Sequence, residues 1–187
     1  MKRLSVIVCV FVGSMLASAQ TSTSAKNEMP QAPAKDPVAT SLRGMVSRSQ
    51  TDTVGALEAM PADKYSYKPT PEQVTFGHLA AHIAEANNLL CSKVADVPAP
   101  KVEEAKETDP KDQLVAAVKA SYAFCSEALS QMDDSKLGDS VELFGGRKFL
   151  RAAAALRLAG GWADHYAAAA MYLRLNGILP PSAKPKE

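Results

Sequence analysis

Asp164-His165-Tyr166-Ala167-Ala168-Ala169-Ala170-Met171-Tyr172-Leu173-Arg174-Leu175-Asn176-Gly177 is the stretch whose reading decides the fold. Alanine is the strongest helix former, and Gly177 followed by Pro180-Pro181 is a stop signal. Read backwards, Ala152–Ala155 continue the same composition, so a helix is expected from about Lys148 to Asn176. On its wheel His165 shares a face with Leu158, Gly161, Trp162, Ala169 and Tyr172. Alanine also leaves little side-chain volume, so any cavity is expected to border this helix.

Three more amphipathic segments precede it. Asp36-Pro37 opens the first, with Asp as N-cap and Pro at the first helical position. Val38, Leu42, Met45, Val46, Val54 and Leu57 then recur at helical spacing until Met60-Pro61. Pro61 to Pro71 is rich in proline and predicts an extended connection, long enough to cross an end of the domain. Thr75 caps a second helix carrying Phe76, Leu79, Ile83, Ala86, Leu90 and Val94, which Val97-Pro98 ends. Asp109-Pro110 repeats the start signal for a third, with Leu114, Val118, Tyr122, Cys125, Leu129 and Met132 on one stripe. No strand pair is legible. Val141–Gly146 reads as a short extended piece or a turn, and Gly145-Gly146 as a turn rather than an anion site. Four helices of about 20–29 residues imply an all-α four-helix bundle over residues 36–181.

The ends read differently. Met1-Lys2-Arg3, the apolar run Leu4–Leu16 and Ala17-Ser18-Ala19 form the three-part pattern of a secretory signal peptide, with cleavage expected before Gln20. Residues 20–35 and 182–187 are polar and Pro-punctuated, and predict a disordered linker and tail. The mature protein is therefore expected to be exported, periplasmic or secreted, with no stable membrane insertion. The 187-residue chain has 21 Lys+Arg against 20 Asp+Glu. A balance so near neutral, with 6% aromatic residues, gives neither the basic footprint nor the stacking surface of a nucleic-acid binder. No nucleophile elbow, phosphate-cradling loop or Ser/His/Asp order is present.

The chain has only three histidines. His82 lies among Leu79, Ala86, Leu89 and Leu90 on its wheel and is expected to point inward, with His78 one turn earlier on the same face. With His165 on the fourth helix, two helices aim imidazole at a shared interior. Bundles build metal sites from facing helices in this way, and neutral imidazole suits zinc, nickel or iron. A hydrogen-bonded pair of core histidines accounts for the same pattern.

The stretch from Met60 to Glu72, then Thr75-Phe76-Gly77-His78-Leu79-Ala80-Ala81-His82, resembles the first half of a DinB/YfiT-like domain. Asp164-His165-Tyr166 and Tyr172-Leu173-Arg174-Leu175-Asn176-Gly177-Ile178-Leu179-Pro180-Pro181 resemble its last helix and exit. The resemblance implies a four-helix bundle holding a divalent metal on three histidines, in a family of metal-dependent hydrolases and thiol transferases. Carried over by position, His82 and His165 are ligands, and the third position is Gly161. Three arrangements stay open. The site is lost; His78 serves as third ligand; or Asp164, Glu85 or the substrate itself supplies the missing donor. Asp164 and Glu85 are also the carboxylates placed to orient a ligand or act as base.

After signal cleavage Cys91 and Cys125 remain, as a disulfide or as two buried thiols. The function expected is thus an exported DinB-like domain with an incomplete metal triad. The alternative is a metal-free bundle that binds a small molecule or a partner, and a homodimer is a further option.

Overall fold

The computed structural model describes residues 35–183. Four helices dominate it: α1 (Pro37–Ala59), α2 (Phe76–Ala95), α3 (Lys111–Ser130) and α4 (Arg151–Leu175). The expected signal peptide and almost all of the expected linker lie outside the described residues.

The packing order is not the sequence order. α1 packs on α3 and α4, and α2 also packs on α3 and α4. Consecutive helices α1 and α2 therefore sit on a diagonal, as do α3 and α4. The side-chain pairings give the directions. Asn87 meets Ser121 and Cys91 meets Cys125, so α2 and α3 run parallel. Lys111, at the start of α3, bonds the carbonyls of Glu58 and Met60 at the end of α1, so α1 and α3 are antiparallel. Asn87 meets Trp162 while His82 meets His165, so α2 and α4 are antiparallel. The topology is up-down-down-up. Two parallel neighbours need a connection that returns the full length of the bundle, and residues 96–110 supply it. That return brings Glu107 against the start of α2, where a Cβ on Gly77 would collide with the Glu107 carbonyl.

The proline-rich link after α1 is not wholly extended, because Ala62–Lys64 make a 3-10 turn within it. Tyr65 then buries its ring edge-on to Phe76 and donates its hydroxyl to the Leu57 carbonyl at 2.9 Å. Thr75 caps α2 by accepting the His78 N–H at 2.9 Å. Asp36 does not cap α1. It sits in the left-handed region at φ 53° and makes no side-chain bond to its own helix. Asp134, beyond the end of α3, accepts the Val38 and Ala39 N–H groups at 2.9 and 2.8 Å, and Asp36 accepts the Asp134 N–H in return. The cap comes from a residue 96 positions away, which no local signal can announce.

A strand pair also exists. β1 (Ser140–Leu143) and β2 (Arg147–Leu150) form an antiparallel hairpin whose loop is Phe144-Gly145-Gly146. Four-residue strands are too short to show a convincing alternation, and their pairing delays the start of α4 to Arg151. At the other end, Ser182 and Ala183 lie in a 3-10 turn rather than a loose tail, and the Ser182 N–H donates to the Tyr166 hydroxyl.

The core centres on Trp162, Tyr122, Phe76, Leu57 and Ile83, all fully buried. A buried polar chain runs through it. Asn87 donates to Ser121 at 3.0 Å and accepts the Trp162 indole N–H at 2.9 Å, and Tyr122 donates to Thr53. Buried polar groups are tolerated because each finds a partner. The Cys91–Cys125 disulfide ties α2 to α3 across a sequence separation of 34, a constraint on the unfolded chain of about 3–4 kcal/mol in the chain-entropy model.

Candidate functional site

α2 and α4 pack side by side, and both carry histidine. The His82 and His165 rings meet there, with centroids 5.2 Å apart and planes at 85°. They do not meet in the core. His82 and His78 are exposed and His165 is half-buried. One helix position makes the difference: the inward face of α2 is taken by Ile83, Ala84, Asn87 and Leu90, which rotates His82 onto the rim. Asn87, not histidine, is the polar group α2 sends into the interior.

His78 stacks on His82 at 6.5 Å with nearly parallel planes, and its Nδ1 lies 3.3 Å from Glu107 Oε2. It is drawn away from the His82–His165 pair by the returning 96–110 segment. On His165, Nδ1 is buried and has no hydrogen-bond partner among the described residues. Burial, reinforced by His82 and only partly opposed by Asp164, pushes its pKa down to about 4. The ring is therefore neutral at ordinary pH, with an unsatisfied nitrogen.

The rings stand at one end of a cleft of about 680 Å³. Glu85, Ala86, Leu89 and Leu90 of α2 form one wall, and Leu156, Arg157, Gly160, Gly161 and Asp164 of α4 form the other. Phe144, from the hairpin loop, closes the far end, and the Arg157 guanidinium lies over its ring at 4.6 Å. Basins elsewhere on the surface are as large or larger, at about 780, 930 and 1080 Å³, but none of those three is lined by histidine.

Of the expected site residues, His82, His165, Glu85 and Asp164 line this one cleft, and His78 stands beside it. Arg157 and Phe144 were not singled out from the sequence. For Arg157 the signal was available: Arg157, Gly161 and His165 follow one another at intervals of four along a single helix face. For Phe144 none was, because the hairpin itself was illegible.

A match to the model of the DinB superfamily over residues 45–168 decides the relationship. The chain belongs to the DinB superfamily. Two solved DinB-like proteins share its fold. One from Bacillus subtilis is 21% identical with a TM-score of 0.62, covering 78% of this chain and 99% of the other. One from Bacillus cereus is 18% identical with a TM-score of 0.62, covering 76% and 95%. Among the curated proteins none matches.

The three-histidine metal that the DinB resemblance implies has to be tested against the residues present. Among the described residues, no three His, Cys, Asp or Glu side chains are grouped to hold a metal ion. His82 and His165 converge, but Gly161 offers no donor, and a Cβ there would meet only the His165 ring edge at 3.8 Å. His78 is engaged with Glu107. Two imidazoles do not make the closed or three-ligand set that a resident zinc requires. The donor set of this DinB domain does not fit a permanently held metal.

Proposed function

We propose that this DinB-family chain is an exported small-molecule-binding bundle whose cleft descends from a metal site that has lost one ligand. The observation that carries the reading is the facing pair His82–His165 beside an open Gly161. In this cleft His165 acts as a neutral polar group. The unpartnered Nδ1 of His165 has hydrogen-bonding capacity that a small reorientation turns toward a ligand, and leaving it unmet costs about 1–3 kcal/mol. Glu85 and Asp164 supply carboxylates toward the histidines, and Leu89, Leu90, Leu156 and Phe144 supply apolar surface. A mix of apolar wall and few polar groups is what small-ligand sites present.

A second reading rests on the closeness of the two rings, 5.2 Å between centroids. In it the pair takes a divalent zinc, nickel or iron only when a ligand brings a further donor. Metal content separates the two. The untagged protein purified without added metal is expected to carry well under one equivalent, and chelator is expected to leave its melting temperature unchanged. A stoichiometric metal that disappears on His82→Ala overturns the first reading.

The buried disulfide supports the exported assignment, because such bonds persist in oxidising compartments. Intact mass measurement on protein recovered outside the cytoplasm is expected to give a chain that begins at Gln20 with Cys91 and Cys125 linked. A mass that includes residues 1–19 contradicts it.

A further inference from the structure

Three charged side chains line the cleft, and none is paired. Arg157, Glu85 and Asp164 take part in no ion pair among the described residues, although five other carboxylates here are engaged by lysine, arginine or histidine. They are also segregated. Arg157 stands at the hairpin end, and Asp164 stands seven residues further along α4, about 10 Å at the rise of a helix. Glu85, one turn beyond His82, sits on the opposite wall. The cleft is therefore a dipole: positive at one end, negative at the other.

Its floor has the same purpose. Gly160 and Gly161 interrupt a helix otherwise rich in alanine, at a cost of about 1 kcal/mol each relative to alanine. Packing does not ask for them. A Cβ on Gly160 would meet nothing within 4 Å, and one on Gly161 only the His165 ring edge. The space they leave belongs to the cleft. At the hairpin end, Phe144 holds a left-handed backbone at φ 43°, unusual for a bulky residue, and its ring lies beneath the Arg157 guanidinium. Gly145 and Gly146 also hold positive φ, so the hairpin turn itself sets this backbone. The stacked ring holds Arg157 by its face and leaves the edge of the guanidinium, with its N–H groups, free for an anion.

We propose that the cleft selects a slender dipolar molecule that lies across Gly160–Gly161, its carboxylate at Arg157 and its ammonium at Asp164 and Glu85. This rests on the reading of the cleft as a small-molecule site and adds the class of ligand. A singly charged molecule leaves one end of the cleft unmatched.

The test is a titration of the isotope-labelled chain, following the amide resonances of Phe144, Gly160 and Gly161. The probes are 6-aminohexanoate, hexanoate and hexylamine, which share a straight apolar body and differ in charge. 6-Aminohexanoate is expected to bind about tenfold more tightly than either analogue. Arg157→Gln, at an exposed position, is expected to lower it to the level of hexylamine, and Asp164→Asn to bring it toward hexanoate. Equal affinity for all three probes, or a dipolar advantage that survives Arg157→Gln, overturns the proposal while leaving the cleft a small-molecule site. Resonances unmoved by any of the three overturn both.

Discussion

His165 shows how much one side chain carries here. Its pKa of about 4 lies below the ordinary value of 6.5, because burial and the neighbouring His82 disfavour the charged ring more than Asp164 favours it. Above pH 6.5 the ring is neutral whether folded or unfolded, and it contributes nothing to pH dependence. As pH falls from 6.5 toward 4, the unfolded chain takes up a proton that the folded chain refuses, so stability declines. With allowance for the ring's partial solvent access, the loss is on the order of 1–2 kcal/mol. Thermal melts across that window are expected to show a shallower decline for His165→Gln than for the natural chain. Identical slopes would place the acid sensitivity elsewhere. The helical period put His165 on the face of Leu158 and Trp162, which are buried, and the His165 ring is half-buried beside them. The period misplaced His82, because a wheel fixes a face only to within one neighbouring position, and Ile83 and Asn87 claimed the interior.

At the level of elements, helix starts were legible where the cap is local and illegible where it is not. Thr75 caps α2 three residues ahead of the N–H it accepts, and the sequence signal sufficed. Asp36 carries the same kind of signal and fails, because Asp134 reaches the N–H groups of Val38 and Ala39 first. Asp134→Ala is expected to destabilise the fold by about 1–2 kcal/mol, and Asp36→Ala by less, in denaturant unfolding. The reverse order would mean that α1 is capped from within. The hairpin was hidden for a related reason: strands of four residues gain their definition from pairing, not from periodicity. Its consequence for the site is Phe144, a residue that only the folded hairpin brings to α4.

For the whole molecule, composition and helical periodicity were enough to predict four helices. The order in which they pack was not in the pattern. The up-down-down-up arrangement follows from pairings between distant residues, Asn87 with Trp162 and Cys91 with Cys125. That arrangement sets α2 beside α4 and so brings His82 to His165. The cleft is then defined by an absence on α4. Where the family resemblance places a third imidazole there is Gly161, and around it stands open space rather than a packed core.

Zinc titration by calorimetry of the natural chain against Gly161→His tests this most directly. A histidine at position 161 lies one turn from His165 on the same face, opposite His82, and would complete a three-nitrogen set. The variant is expected to bind zinc roughly a hundredfold more tightly than the natural chain, and the gain is expected to vanish when His82→Ala is added. Tight stoichiometric binding by the natural chain, or no gain in the variant, would contradict the account of a converging imidazole pair that has lost its third partner.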